Sequence, residues 1–394
     1  MTAQDYKAPE SLGLVQKRAF LIGGVALFVA VYGALTSPEK FYHAYLFSFL
    51  LVLGLTLGSL GLLMLQHLTG GNWGIIIRRP LEAAAQNIWL VILMFVPIVL
   101  GMKWLYSAWL DPEKLQAAPL SPLQQSYLTS SGYLIRAVIY FAIWATLVWV
   151  FNSWSRRQDV DQEDRTLRRH FKLMAGPGII LYVVTMTFAS IDWVMSISPH
   201  WASTIYGFIF VAGQAVSAMA LMIVVVVLLS GSESFAGVLH KRHLHDLGKL
   251  LFAFTMLWAY FDFSQLLIIW SGNQPEEITF YRTRLYGEWG VVAVIVLLFS
   301  FALPFAVLLS SDVKRNASLV SKIALWMLAF RLVDLYWMTR PEFTSRAWPT
   351  WLDLVVPVAL VSLWIGFFAM NLKQRPLLPL GDPKLAEAVA QDEH

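Results

Sequence analysis

FASIDWVMSISPHWASTIYG, residues Phe188–Gly207, places Asp192, His200 and the rings of Trp193, Trp201 and Tyr206 between two long apolar runs. An apolar run of about twenty residues is what a helix needs to cross a bilayer. The polar link between these two runs therefore belongs at a membrane surface. A carboxyl and an imidazole at the mouth of a membrane helix cost free energy unless water, a partner or a substrate meets them, which makes this stretch a first candidate for function.

The same window recurs along the whole chain. Ten spans are expected, over 19–36, 42–65, 83–108, 128–151, 173–191, 203–229, 247–270, 289–309, 319–338 and 350–371. Of 394 residues, 58% are hydrophobic and 14% charged, with a mean hydropathy of +0.61. A soluble surface cannot be built from that composition, so the fold class is an all-α polytopic membrane protein. The absence of cysteine excludes thiolate-held iron–sulfur clusters, disulfides, a cysteine nucleophile and covalent haem within this chain. A net charge of +4 with no basic stripe gives no reason to expect nucleic acid.

Lysine and arginine collect in alternate loops, eighteen on the side of both termini against six on the other. The positive-inside rule then puts both termini in the cytoplasm. Residues 1–372 are read as one ten-helix domain, with spans 2–5 and 6–9 as two four-helix halves and spans 1 and 10 peripheral. Residues 373–394 are read as a cytoplasmic tail, either mobile or strapped to a neighbour. The charged segment 152–172 is expected as an interfacial helix. Gly54, Gly58 and Gly61 form a small-residue stripe that marks close helix packing, and Pro97, Pro177, Pro304 and Pro357 are expected to kink or cap spans.

This topology gives the ionisable groups a depth. Lys103, Arg136, Asp262, Gln265, Glu288, Arg331, Asp334 and Asp353 all fall in the outer half, while His67, Glu82 and Lys249 lie near inner helix ends. Charges gathered at one depth imply internal ion pairs or a shared cavity, here a hydrated pocket opening outward. Arg331 and Asp334, three residues apart on one helix, suit a structural salt bridge. Asp262 has no basic residue in its own helix, so it must be protonated, paired across helices or hydrated. No histidine lies deep in a span, which argues against bis-histidine haem. The tract of His240, His243 and His245 matches a basic loop better than a metal site.

Three blocks also resemble a known family. They are Thr69–Gly74 (TGGNWG) with Arg78, Arg79 and Glu82; Asp192 to Ser196 (DWVMS) with Pro199 to Gly207 (PHWASTIYG); and Trp258 and Tyr260 with Phe263, Ser264, Gln265, Ile269, Trp270, Gly272, Asn273 and Pro275 to Glu277. In this order they resemble the F-type membrane subunit of alternative complex III, a bacterial quinol:electron-acceptor oxidoreductase, itself related to the NrfD/polysulfide-reductase membrane anchors. The resemblance covers nearly the whole chain. Asp262 departs from it, because the family motif carries a small or apolar residue there.

The resemblance implies a multi-pass subunit of the bacterial cytoplasmic membrane beside a larger NrfD-like paralogue. Haem and iron–sulfur clusters would be carried by multihaem cytochrome c and iron–sulfur partner subunits, with quinol (menaquinol or ubiquinol) as the electron donor. Two mechanisms remain open. An outer quinol pocket would be lined by Asp192, Trp193, His200 and Tyr206, with a carboxylate or imidazole taking the proton. Alternatively the chain is a scaffold in which Asp262, Gln265, Glu288, Arg331 and Asp334 relay protons outward and His67 and Glu82 begin an inward path. A secondary transporter is a third reading.

Overall fold

A computed structural model describes residues 6–161, 165–232, 235 and 238–385. Every regular element among them is helical. The long helices are α1 (Glu10–Thr36), α2 (Pro38–Thr69), α3 (Arg78–Leu100), α4 (Ser130–Val160), α5 (Arg165–Trp193), α6 (Tyr206–Leu229), α7 (Lys241–Gly272), α8 (Gly287–Leu309), α9 (Ala317–Thr339) and α10 (Trp351–Leu372). Nine have the length and apolar composition to cross a membrane. The tenth, α9, is 23 residues long but carries Lys322, Arg331 and Asp334.

Several helices run past their apolar windows, because polar residues can continue a helix beyond the hydrocarbon. The segment 152–172 is therefore not one surface helix. Its first part extends α4 and its last part opens α5, with residues 162–164 outside the described part of the chain. The third span is also not continuous. It breaks at Gln86–Asn87, where Asn87 donates to the Trp364 carbonyl at 2.9 Å, and again at Gly101. A Cβ at Gly101 would lie 2.2 Å from the Tyr42 ring, so only glycine lets the chain turn against α2 there.

The central post is α2, whose apolar window is 94% buried. A helix that is hydrophobic all round belongs in the interior. It packs with α3, α4 and α5 as one group of four, while α6, α7, α8 and α9 pack together as a second; α6 and α9 also touch α2. Close approach of α2 and α6 depends on the glycine stripe, since a Cβ on Gly58 would fall 2.2 Å from the Gln214 carbonyl oxygen. Of the two flanking helices, α1 rests mainly on α10, whereas α10 is itself packed against α2 and α3.

The connecting segments sort onto two faces. On one, Gln124 reaches the Pro199 carbonyl at 2.7 Å and Arg284 pairs with Glu342 at 2.7 Å. On the other, Leu377 N–H donates to the Tyr6 carbonyl at 2.8 Å and Lys384 Nζ to the Gly70 carbonyl at 2.6 Å. Both ends of the described chain lie on this second face, called here the terminal face. Residues 373–385 are not loose. They fold back on their own chain, with Leu377 and Leu378 fully buried. Residues 386–394 lie outside the described chain.

Beneath this strap the terminal face holds a dense ion network. Glu82 accepts from Arg78, Arg79, Ser155 and Arg375, and Asp159 pairs with Arg79 and Arg375. Arg78 also meets Asp382 and Gln158. Each buried charge therefore has an opposite partner, the condition under which burial is tolerated.

Candidate functional site

Asp192, Trp193, His200 and Tyr206 line neither of the two large cavities of the described chain. Asp192 is fully buried and already committed, because Arg136 grips it through Nε at 2.9 Å and Nη2 at 2.8 Å while the Tyr140 hydroxyl donates at 2.8 Å. Arg136 in turn lies over the Tyr127 ring. Trp193 is walled in by Phe95, Tyr140, Phe141 and Trp144. His200 is exposed between buried Pro199 and Trp201, and Tyr206 is buried against Trp201, Phe210 and Phe280. A pattern of polar residues in sequence cannot distinguish a lined pocket from neighbours that satisfy one another.

The same correction applies to most of the outer-half charges. Arg331 and Asp334 form the expected pair on α9, and the guanidinium packs flat on α6 because Gly213 has no side chain in its way. Arg340 pairs with Asp353 at 3.1 Å. Glu288 is exposed and caps the 344–350 turn by accepting from the Ala347 N–H at 2.8 Å. Ion pairs rather than a hydrated outward pocket account for the clustering at this depth. On the inner side, Glu82 is saturated by its network. His67 stacks on Phe171 at 4.2 Å with Nε2 buried and unpartnered. No hydrogen bond joins these two among the described residues.

Asp262 is the exception. No hydrogen bond or ion pair holds its carboxyl among the described residues, and the charges that reach it are those of the Asp334–Arg331 pair. It lines a cavity of about 520 Å³ between α7 and α8, with Trp258, Phe263, Tyr281, Leu297, Phe301 and Trp337 among the walls. Tyr260, Phe263, Val294 and Leu297 are lining residues that are also more than half exposed. They stand on membrane helices, so the cavity opens sideways between α7 and α8 at hydrocarbon depth. Asp262 lies ten residues before the end of α7, about 15 Å along the axis.

Few polar groups share this cavity. The Trp258 indole N–H is buried with no partner. Tyr281, on the short helix Pro275–Leu285, accepts from Gln265 at 3.0 Å, and Gln265 accepts from Ser203 at 2.9 Å. Burial holds the Tyr281 hydroxyl above the ordinary phenol range, so it stays protonated with its own hydrogen left to donate. Comparison with family models and with curated proteins returns no match. Among the described residues, no group of three histidine, cysteine or acidic side chains is placed to hold a metal ion.

One wall of the cavity is irregular. Leu297–Ala302 is a π-helical turn inside α8, and Pro304 follows it. Proline lacks an N–H and crowds the carbonyl four residues back, here Ser300. A wider turn relieves that clash, and such turns recur at functional sites. Tyr281, Trp337 and the π turn are parts that sequence reasoning missed. Pro304 inside an apolar span was the available signal for the last of them.

Proposed function

We propose that this chain is a membrane subunit of a quinol-oxidising electron-transfer complex of the alternative complex III type, that it serves as scaffold, and that Asp262 exchanges protons within it. The observation that carries the proton role is the unpaired carboxyl in an apolar cavity. Of the three states open to Asp262, pairing across helices is absent from the described chain. A bare carboxylate in hydrocarbon costs several kcal/mol. The group is then protonated or hydrated, and a carboxyl passing between those states is a proton carrier. Gln265 and Tyr281 supply hydrogen bonds beside it, while Arg331 and Asp334 set the local field. Glu288, Glu82 and Asp192 are left out of the path because each is spent on a structural contact. The test is Asp262→Asn in the assembled complex reconstituted in vesicles. Proton release per electron pair is expected to fall while quinol oxidation continues. An unchanged ratio would sink the proton role.

The cavity also favours a second reading, in which the chain binds quinol directly. A sideways opening suits a ligand that travels in the bilayer, and a carboxyl, a phenol and a free indole N–H are groups that could orient a ring carrying oxygens. Under this reading the ligand sits at Asp262 and Trp258 rather than at Asp192 and His200. Trp258→Phe would then weaken quinone retention by the purified assembly. Retention that survives both Trp258→Phe and Asp262→Asn would remove it.

A further inference from the structure

A second and larger cleft, of about 770 Å³, lies on the other side of the molecule, bounded by α1, α2, α6, α9 and α10. Its lining is almost wholly aliphatic, and Ser11 and Ser362 are its only hydroxyl-bearing residues. The Trp364 indole at its base is already satisfied by Thr56 at 2.8 Å. Its lining holds no charged or titratable side chain, and the two serine hydroxyls are its remaining hydrogen-bonding side chains.

Its placement is specific. It begins at the terminal face, where Pro9, Leu229 and Leu372 line it, and runs inward to Pro357. Leu372 and Pro357 are fifteen residues apart on α10, about 22 Å. Half of a ~30 Å hydrocarbon core is about 15 Å, so the cleft can sheathe an extended acyl chain through one leaflet. Leu325, Leu328, Ala329 and Leu332 form its α9 wall at helical spacing. Lys322 is one turn earlier on the same stripe and is exposed, at the terminal-face mouth. Lys7 is exposed two residues before Pro9. Among the described residues the acidic group beside these lysines is Glu10, so two ammonium groups face one carboxylate above an apolar slot.

We propose that this cleft is a structural lipid site, holding the acyl chains of an anionic phospholipid whose headgroup meets Lys322 and Lys7. Ordinary annular lipid needs neither a slot nor cations. The proposal is independent of the role of Asp262. Full-length protein, delipidated in detergent and incubated with palmitoyl-oleoyl phosphatidylglycerol or phosphatidylcholine, is examined by native mass spectrometry. One phosphatidylglycerol is expected to survive activation that strips phosphatidylcholine. Lys322→Glu should lower that preference about fivefold. Ala329→Trp fills the slot from an exposed position and should abolish retention, and Val358→Trp offers a second plug if the first variant folds poorly. Equal retention of the two lipids overturns the proposal, as does an adduct indifferent to both plugs. So does the absence of any adduct, the result expected if a partner's helix occupies the slot.

Discussion

Asp192 and Asp262 are both aspartates in the half of their helices away from the terminal face, yet one is a structural strut and the other has no partner among the described residues. The difference lies in what approaches them. Arg136 and Tyr140 saturate Asp192, so removing one partner strands a buried charge. Arg136→Met is expected to cost about 3 kcal/mol, while the double change with Asp192→Leu should recover most of that loss. Thermal unfolding in detergent measures both, and a double variant no better than the single one would contradict the strut. Asp262 has no such partner and faces the bilayer. A hydrophobic carbodiimide, which adds to a protonated carboxyl, should label it, and Asp262→Asn should abolish the label. If labelling instead falls on another carboxyl and ignores this change, the apolar cavity is closed in the working protein.

At the level of elements, two helices are shaped by absent side chains. Gly58 lets α2 lie against the backbone of α6 at Gln214, and Gly213, the residue before it on α6, leaves room for the Arg331 guanidinium. Gly58→Val drives a branched side chain into a carbonyl that cannot yield, and overpacking of this kind costs about 1–3 kcal/mol. A lowered midpoint with unchanged helical circular dichroism is the expected result; an unaltered midpoint would mean that the helices separate freely there. The π turn before Pro304 has a different cause, a missing N–H rather than a missing side chain. Its effect is to splay the α8 wall at Leu297 and Phe301, beside Asp262. The glycine stripe and the proline were legible in the sequence because their chemistry is local. The partner each one meets was not.

For the whole molecule, the terminal face is closed by its own C-terminal segment. Leu377 and Leu378 are fully buried there, each contributing about 1.5–3 kcal/mol, and Asp382 and Lys384 add polar anchors. Truncation after Arg375 is expected to lower stability by about 3 kcal/mol or more, read as a fall in unfolding temperature; an unshifted transition would show that the strap is not part of the stable fold. By itself the sequence determined that the chain is helical, that it has many membrane-crossing segments, and that Arg331 and Asp334 share a helix face on which they can pair. Hydropathy over about twenty residues and spacing along one helix are properties of neighbouring positions, so they can be read directly. Only the tertiary structure decided which charges neutralise one another across helices, why Phe188–Gly207 is a packed joint rather than a pocket, and that Asp262 is the carboxyl left over. Burial and pairing depend on residues far apart in the chain, such as Arg136 with Asp192 or Arg78 with Asp382, and no local pattern records which of them will meet.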